Sequence, residues 1–405
     1  MRFEFGFQSS LLLIFFVHLL VFSGLFFLRY RNRQQVSNGW LGLFLLLAAL
    51  YIAPWMLGFA GWYDHQPYRN VLFYIPFQHL FWIGPVLFFY VQSLLNPSFR
   101  PKRKQWLHFV PGLLYALYVL IVWVYDQCIV HDYYFLANGE DPDFDTWYQW
   151  TGFLSMTGYF LASFIYYRKY RRVIVLLVSN AADYSFQWVR NFLLAFLSML
   201  LARLVMAGYD WMVGGDYASS WWYFFSFAIS AYYISIAGYT NAVQSRVLFR
   251  TALFGQANEV FILPERPVYA LPFQPEQYES IPEAEAAVEP DAALADWKAR
   301  IVRLFETERL YEEPELTLQD VAQQLQTNIS VLSRLVNRSF GMNFNDLVNS
   351  YRVKRVIELM EKGEHQTQTL LALAFDAGFN SKTTFNRAFK KQTGLSPKEY
   401  LQERI

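Results

Sequence analysis

The sequence predicts an all-α protein with two unlike parts, a polytopic seven-helix transmembrane bundle followed by a soluble helical domain. Of the 405 residues, 55% are apolar and only 17% are charged, whereas a soluble domain carries about a quarter charged residues. Charged residues occupy 31 of the last 115 positions but only 36 of the first 290. Seven apolar stretches precede the charged region, and each is close to the ~20 residues that cross a bilayer as a helix.

All seven predicted spans lie within residues 1–250, which we assign to one transmembrane domain. The spans cover approximately 8–28, 40–60, 71–95, 106–127, 149–167, 189–208 and 219–240. The first is too long for the apolar core of a signal peptide and is followed by arginines, so we expect it to be retained as a helix. The single cysteine, Cys128, excludes an intramolecular disulfide and a cysteine-based zinc site.

Loop charges predict the orientation of the bundle. The loops after spans one, three, five and seven are basic, with Arg29, Arg31, Arg33, Arg100, Lys102, Arg103, Lys104, Arg168, Lys169, Arg171, Arg172, Arg246 and Arg250. The other loops are mainly acidic, with Asp64, Arg69, Asp132, Glu140, Asp141, Asp143, Asp145, Asp210 and Asp216. Because basic loops remain in the cytoplasm, we expect the N-terminus outside and the C-terminus inside.

Residues 251–291 are predicted to form a cytoplasmic linker. They contain six prolines, and eight acidic residues against the single basic residue Arg266. A segment of this composition cannot bury enough apolar surface to fold alone, and its negative charge repels both DNA and anionic lipid. We interpret it as a spacer, with signal transmission through an ordered linker as the alternative.

The remaining residues, 292–405, are predicted to form the soluble domain. Its first helix has apolar residues at spacings of three and four, namely Leu294, Trp297, Ile301, Leu304 and Phe305. This spacing gives one apolar face, which we expect to pack on the rest of the domain. The alternative is a helix that mediates dimerisation.

Residues 370–400 contain a predicted helix-turn-helix. A short apolar helix is followed by Gly378 and then by a polar and basic second helix. Phe379, Phe385 and Phe389 are expected to face inward, which leaves the polar side chains of the second helix exposed. A glycine turn followed by an exposed polar helix is the arrangement that enters the major groove of DNA.

The same unit occurs a second time upstream. An offset of 52 residues aligns Ala322 with Ala374 and Gln326 with Gly378. Internal duplication makes the interpretation as a DNA-binding domain more specific than one helix-turn-helix would.

The upstream unit and the connection between the units can also be placed. Thr317, with Asp320 three residues on, is expected to cap a helix over residues 318–325, and a second helix is expected over residues 329–339. Residues 344–361 predict one helix about 27 Å long. Two units joined by such a helix can approach successive major grooves on one face of DNA, which repeat at ~34 Å.

Residues 295–403 carry an ordered series of motifs. They are Leu316-Thr317-Leu318, Val321-Ala322, Leu332-Ser333-Arg334, Gly341, Phe344, Tyr351-Arg352, Ala374, Gly378-Phe379, Phe385, Arg387, Phe389-Lys390-Lys391 and Gly394-Leu395-Ser396-Pro397. With these motifs the sequence resembles the AraC/XylS family of bacterial transcription regulators. The resemblance implies an AraC-type domain that binds double-stranded DNA sequence-specifically. Together with the spans, it implies a multi-pass protein of the bacterial cytoplasmic membrane with this domain in the cytoplasm.

The resemblance also implies which residues contact bases. They are Ser330, Ser333 and Arg334 in the first unit and Lys382, Thr383, Asn386 and Arg387 in the second. The side-chain chemistry agrees, because arginine and lysine donate to guanine edges and asparagine pairs with adenine. We expect phosphate contacts, which position the protein without specifying sequence, from Arg338, Lys390, Lys391 and Lys398. The alternative is a solvated face of a protein-binding helical domain.

Two departures from the family pattern matter. Gln326 stands where the turn of a helix-turn-helix usually has glycine, so we expect either an unusual backbone or a shifted chain path there. Soluble members of the family have a cytosolic ligand-binding domain where this chain has membrane spans, so their ligands cannot be carried over.

Within the bundle, Arg203 is the candidate for sensing a ligand. A charged residue inside a span is costly and is by default a functional candidate, although a structural pair or a snorkelling arginine is the alternative. His18, His79 and His108 lie at different depths, so we expect no haem or metal site and predict no cofactor.

The sequence therefore predicts a membrane-bound one-component regulator that is not an enzyme. The expected partners are DNA, membrane lipid, and a small-molecule or membrane-protein signal, with a homodimer as a further possibility. The alternative is a transporter or membrane enzyme with an autoregulatory DNA-binding domain. No nucleophile–base set, phosphate loop or HExxH motif in the sequence supports that alternative. A purely passive membrane anchor is a third interpretation.

Overall fold

The computed structural model describes residues 5–33, 35–96, 99–177, 187–214, 216–240, 249–251, 260–262, 291–327 and 329–404. Within these ranges the regular secondary structure is helical, apart from two short paired strands, β1 (Phe249–Thr251) and β2 (Val260–Ile262), so the all-α prediction is confirmed. The described residues fall into two compact parts, one within 1–167 and 187–249 and the other within 168–186 and 250–405. Arg246 and the linker residues 252–259 and 263–290 lie outside the described residues.

Each of the seven predicted spans overlaps a long helix. The helices are α1 (Phe7–Arg33), α2 (Val36–Phe59), α4 (Leu80–Leu95), α5 (Val110–Val124), α6 (Thr146–Leu177), α7 (Gln187–Tyr209) and α8 (Tyr217–Thr240), with one short turn, α3 (Arg69–Leu72), before α4. Among the described residues, four helical segments are long and apolar enough to cross a membrane, namely Phe7–Asn32, Val36–Phe59, Arg103–Val130 and Gln187–Gly214.

Helix α2 lies at the centre of this bundle. It contacts α1, α4 and α8, and most of its span is buried, whereas the spans that contain α1, α5 and α7 are mostly exposed. The exposed side chains of α5 include Leu113, Leu114, Leu117, Leu120 and Ile121. A contiguous apolar surface of this kind is typical of contact with membrane or another protein.

The C-terminal ends of α1 and α8 meet. Arg29 Nη1 donates to the carbonyl oxygen of Tyr239 at 2.9 Å, and its guanidinium carbon lies 3.4 Å from the centre of the Tyr239 ring. Helices α1 and α8, the first and seventh predicted spans, therefore end on the same side of the bundle, which is consistent with the orientation predicted from loop charges.

The third predicted span differs from the structure. The sequence predicts a continuous span over 71–95, but helix α4 begins only at Leu80. The N–H groups of Phe77 and Gln78 both donate to Asp143 Oδ2, at 2.7 and 2.8 Å. A carboxylate from a distant loop thus satisfies backbone donors that a helix would otherwise satisfy, and the apolar pattern of the span does not reveal this contact.

Helix α6 extends beyond its predicted span of 149–167. It has 32 residues and is therefore about 48 Å long. Arg168, Lys169, Arg171 and Arg172, which the sequence analysis assigns to a loop, lie in its last turns.

The C-terminal domain consists of seven helices within the described residues. They are α9 (Asp291–Glu306), α10 (Leu318–Gln324), α11 (Ile329–Phe340), α12 (Phe344–Glu361), α13 (Leu370–Asp376), α14 (Lys382–Thr393) and α15 (Pro397–Arg404). Helix α12 contacts α11, α13 and α14, and α9 packs on α11. Ile301 and Phe305 of α9 are buried, so its apolar face serves the domain core, as predicted. A dimer partner is therefore not needed to cover the apolar face of α9, as the alternative interpretation of this helix would have required.

Helix α12 has the bounds that the sequence predicts, and it supplies the core of the second helix-turn-helix. Val353, Val356 and Met360 pack with buried residues of α13 and α14. In that core the rings of Phe379 and Phe385 lie 5.3 Å apart, centre to centre. The prediction that the phenylalanines around α14 face inward is confirmed.

Candidate nucleic-acid interface

Helices α10–α11 and α13–α14 form two helix-turn-helix units with the same turn. The N–H of Thr327 donates to the carbonyl of Ala322 at 2.9 Å, and the N–H of Phe379 donates to that of Ala374 at 3.0 Å. In both units the donor lies just after a helix and the acceptor lies five positions earlier, in the last turn of that helix. Such a hydrogen bond is typical of a helix that ends with a residue in the left-handed conformation. The duplication predicted from the 52-residue offset is confirmed.

The residue that closes each helix has a positive φ. Gly378 has a φ of 93° and Gln326 a φ of 53°, so the unusual backbone expected at Gln326 is present. A left-handed conformation costs a non-glycine residue roughly 1–2 kcal/mol. The first turn therefore has the geometry of the second without the residue that favours it.

Replacing Gln326 with glycine is expected to raise the free energy of unfolding of the C-terminal domain by about 0.5 kcal/mol, because relief of the left-handed strain exceeds the extra chain entropy of glycine. Denaturant unfolding of a fragment of residues 291–405, followed by circular dichroism, measures the change. Gln323→Gly is the matched control, since Gln323 is exposed inside α10 and glycine there costs up to ~1 kcal/mol. If glycine lowered the free energy of unfolding equally at positions 326 and 323, the left-handed conformation of Gln326 would not be strained.

The polar face of α14 points to solvent. Its start is capped by Ser381, whose hydroxyl accepts the N–H of Thr384 at 3.2 Å, and Phe385 and Phe389 are buried on the opposite face. The sequence-predicted residues on the outer face are all exposed, namely Lys382, Thr383, Asn386, Arg387, Lys390 and Lys391. All of them except Lys382 line one open groove of about 660 Å³. Lys398 is exposed on α15 but is not among the groove residues.

In the first unit the corresponding face belongs to α11. Arg334 and Arg338 are exposed and Ser333 is half-buried, whereas Leu332 and Leu335 are buried on the other side. Ser330 belongs to α11, but its side chain lies outside the described residues.

The structure adds a second role for Lys391. Its Nζ lies 2.7 Å from Asp346 Oδ1, and Asp346 Oδ2 also accepts from Asn343 at 3.0 Å. Lys391 therefore ties α14 to the start of α12, and a phosphate would have to compete with this ion pair. The sequence analysis assigned only phosphate binding to Lys391, because residues 45 positions apart share no local pattern.

A short segment that the sequence pattern does not single out precedes both units in the chain and contacts the second of them. Residues 310–313, which we call the strap, begin with one 3-10 turn over Leu310–Glu312. Arg352 is 0% exposed, and it donates from Nε to the carbonyl of Tyr311 at 2.7 Å and from Nη2 to that of Glu313 at 2.6 Å.

The strap also contacts the turn of the second unit. A Cβ atom added to Gly378 would lie 2.5 Å from the Tyr311 carbonyl oxygen and 2.7 Å from that of Glu312. The strap thus contacts both α12 and the α13–α14 turn, and the Tyr311 carbonyl oxygen takes part in both contacts. Arg352 and Gly378 both belong to the family-like motifs, yet neither pattern nor spacing indicates that they meet the same segment.

In the bundle, Arg203 makes polar contacts between helices. Its Nη2 donates to Gln149 Oε1 at 3.1 Å, and its guanidinium carbon lies 5.3 Å from the centre of the Tyr223 ring. These contacts fit the structural pair considered in the sequence analysis, and a sensing role for Arg203 stays a prediction.

The three histidines of the spans have separate partners. His18 Nε2 is 2.7 Å from the hydroxyl of Ser235 and His108 Nδ1 is 2.6 Å from that of Tyr159, whereas His79 stacks on Trp82. Across the described residues, no group of three or more His, Cys, Asp or Glu side chains is placed to hold a metal ion.

Comparison with known proteins matches residues 321–403 to a family described as "Helix-turn-helix domain". The chain is 34% identical over 82 residues to the TCP pilus virulence regulatory protein of Vibrio cholerae serotype O1, in both an Ogawa and an Inaba strain. It is 28% identical over 92 residues to the uncharacterized HTH-type transcriptional regulator YtdP of Bacillus subtilis. No solved structure matches the chain.

These alignments cover a minor share of each protein. The first covers 20% of this chain and 28% of the Vibrio protein, and the second covers 23% of this chain and 12% of the Bacillus protein.

Proposed function

We propose that this chain is a membrane-bound transcription regulator that binds promoter DNA with both helix-turn-helix units. The match of residues 321–403 to a helix-turn-helix family and the resemblance of the motifs to the AraC/XylS family support the proposal. The observation that carries the proposal is the duplicated unit, in which each second helix buries its apolar face and exposes a face of base-capable side chains. Arg334 and Arg387 can donate to guanine and Asn386 can pair with adenine.

Helix α12 supports simultaneous binding by both units. It has 18 residues, hence a length of about 27 Å, and it contacts both α11 and α14. The strap adds a second connection through Arg352 and Gly378. A domain braced in this way can present its two second helices to neighbouring major grooves of one DNA duplex.

The proposed location is the bacterial cytoplasmic membrane, with the DNA-binding domain inside the cell. Four segments long and apolar enough to span, the exposed apolar side chains of α5 and the alternation of basic and acidic loops support membrane anchoring. A linker over residues 251–291 would let the domain reach DNA, since 41 extended residues span on the order of 130 Å.

The bundle is proposed to sense a signal rather than only to anchor the chain. Polar side chains of four helices are connected inside it, because Arg203 joins Gln149 to Tyr223 and the hydroxyls of Tyr223 and Tyr51 are 2.8 Å apart. The two tyrosines are buried and Arg203 and Gln149 are half-buried. A charged side chain within a membrane span is costly and usually functional.

The same polar connection is the one observation that favours the second candidate, a transporter that carries an autoregulatory DNA-binding domain. Transport by vesicles that contain only residues 1–250 would favour this candidate. Signal-dependent promoter binding by a chain whose bundle transports nothing would favour the sensor.

Replacing Arg387 with alanine is expected to reduce discrimination at one base pair of the operator by about 1–3 kcal/mol, because a bidentate contact to guanine is lost. Binding of the purified 291–405 fragment to a randomised promoter library, followed by titrations of selected sites at several salt concentrations, measures the change.

Lys390→Ala is the matched control on the same groove. Loss of a phosphate contact should weaken binding to all DNA sequences alike. It should also lower by about one the number of counterions released on binding, as read from the salt dependence of the affinity. Lys391 is a poorer control because its substitution also breaks the ion pair with Asp346. A folded fragment that binds every promoter sequence equally would refute the regulator proposal.

A further inference from the structure

Three carboxyl groups between α5 and α6 are buried. Asp126 accepts hydrogen bonds from Tyr74 and Leu136, whereas the other two lie close together in the acidic loop that the sequence marks only as an orientation signal. Asp141 and Asp143 are 7% and 1% exposed. Asp141 Oδ1 accepts the N–H of Asp143 at 2.9 Å, but its Oδ2 is buried without a hydrogen-bond partner among the described residues. An ionised carboxylate oxygen in that position would have lost its water and gained nothing in return.

Asp143 has the opposite environment. Besides the N–H groups of Phe77 and Gln78, it accepts the hydroxyl of Tyr115 at 2.6 Å. Hydrogen bonds from three donors stabilise the ionised form of a carboxyl group. Gln78 is itself fully buried, and its Nε2 is a second polar atom with no partner in the described part of the chain.

The groups that face this pair are acids and phenols. Asp143 and Asp145 face Asp141 from its own loop, Tyr63 faces it from the segment after α2, and Tyr115 faces it from α5. From α6, Tyr148 faces Asp143. None of these groups can carry a positive charge, so none of them attracts a second negative charge onto the pair.

Burial and the negative charge of Asp143 both raise the pKa of Asp141 above its ordinary value. Burial also raises the pKa of Asp143, against the opposing effect of its hydrogen bonds. The pair therefore retains one proton well above the pH at which a solvated aspartate loses it, and Asp141, whose Oδ2 lacks a donor, is the residue that carries it.

The loop is attached to the helices through the same residues. Gln149 Nε2 donates to the Asp143 carbonyl at 2.6 Å and to Gln78 Oε1 at 2.7 Å. Gln149 Oε1 in turn accepts from Arg203, which leads to Tyr223 and α8. Movement of the loop would thus disturb the non-helical residues Phe77 and Gln78 before α4, and also the polar contacts among α6, α7 and α8.

We propose that the Asp141–Asp143 pair is a proton-sensing site of the bundle: with one proton on the pair the loop stays docked on Phe77 and Gln78, and loss of that proton releases it. The inference rests on the proposed membrane topology, which exposes this loop to the outside of the cell, and it names external acidity as the signal.

The direction of the response follows from proton linkage. A solvated aspartate titrates near ~3.9, and the pKa of docked Asp141 is higher. Between these two values the docked loop holds a proton that the released loop has lost, so docking weakens about tenfold for each unit of rising pH. Docking is strongest in acid and weakest above the raised pKa.

Hydrogen exchange of the full-length chain in lipid nanodiscs tests the proposal. The amides of Phe77 and Gln78, read from a peptide spanning residues 74–80, are protected only while Asp143 accepts their hydrogen bonds. Between about pH 5 and about pH 9, their protection, corrected for the intrinsic pH dependence of exchange, should fall about tenfold per pH unit until the raised pKa is passed.

Two substitutions separate this site from the general charge of the loop. Asp141→Asn keeps the acceptor for the Asp143 N–H but cannot ionise. The fall in protection at the upper end of the pH range, where Asp141 loses its proton, should therefore disappear, and only the ionisation of Asp143 at lower pH remains. Asp132→Asn removes the same charge from an exposed position of the same loop and should behave like the wild type. A wild type without pH dependence, or an Asp141→Asn variant that keeps the fall at the upper end of the range, would overturn the proposal.

A second readout needs no variant. Infrared difference spectra of the wild type should show the C=O band of a protonated carboxyl group that disappears as the pH rises, and absence of that band above the ordinary aspartate range would also refute the inference. Neither measurement contains DNA. Both can therefore fail while promoter binding by the C-terminal domain succeeds, and promoter binding can fail while both succeed.

Discussion

Replacing Gly378 with alanine is expected to lower the free energy of unfolding of the C-terminal domain by about 3 kcal/mol. Its φ of 93° strains any side chain by roughly 1–2 kcal/mol. The added Cβ would also lie 2.5 and 2.7 Å from the carbonyl oxygens of Tyr311 and Glu312. Because both are backbone atoms of the strap, neither can turn away, and overpacking of this kind adds about 1–3 kcal/mol.

Denaturant unfolding of the 291–405 fragment measures the loss, and Gly394→Ala is the matched control. Gly394 ends α14 with a φ of 80°, but no atom lies within 4 Å of a Cβ built there. The control should therefore show only the strain, about 1 kcal/mol. Equal losses at the two glycines would show that contact with the strap is unimportant.

Replacing Arg352 with methionine is expected to cost the C-terminal domain about 3 kcal/mol, the second large effect. Methionine fills much of the volume but removes two hydrogen bonds from a charged donor, each worth about 1.5–3 kcal/mol. Removal of the buried charge offsets part of this loss. The carbonyls of Tyr311 and Glu313 would lose their donors, and the strap would lose its attachment to α12.

Arg355→Met is the control for Arg352, since Arg355 also approaches the strap. Its Nε is 3.6 Å from Glu312 and its Nη1 is 3.4 Å from Glu358, and a partly exposed ion pair contributes about 1 kcal/mol or less. The same unfolding experiment compares the two arginines. A neutral Arg352→Met variant would mean that the desolvation of its guanidinium cancels its hydrogen bonds.

Both substitutions are also expected to affect DNA binding, because the strap connects α12 to the turn of the second unit. Loosening that connection leaves each second helix with its own exposed residues but relaxes their relative position. Affinity for a full operator should then fall more than affinity for one half-site, which titrations with the two DNA lengths would show.

The sequence by itself determined the local features of this protein. Apolar stretches and helical spacing predicted the positions of the seven bundle helices, and residues 344–361 proved to be one helix with those bounds. The capping pair Thr317 and Asp320 and an unusual backbone at Gln326, which proved to be left-handed, were also predicted. These features depend on residues within a few positions of one another, so their physical cause is contained in short stretches of sequence.

Only the tertiary structure decided the contacts between distant residues. Asp143 shortens α4 from a loop 65 positions away, Asp141 is buried within an apparently solvated acidic loop, and Lys391 reaches Asp346. Arg352 and Gly378 both approach the Tyr311 carbonyl oxygen of the strap. The partner of a polar side chain depends on which segments the fold brings together, and charge or spacing along the chain carries no record of that partner.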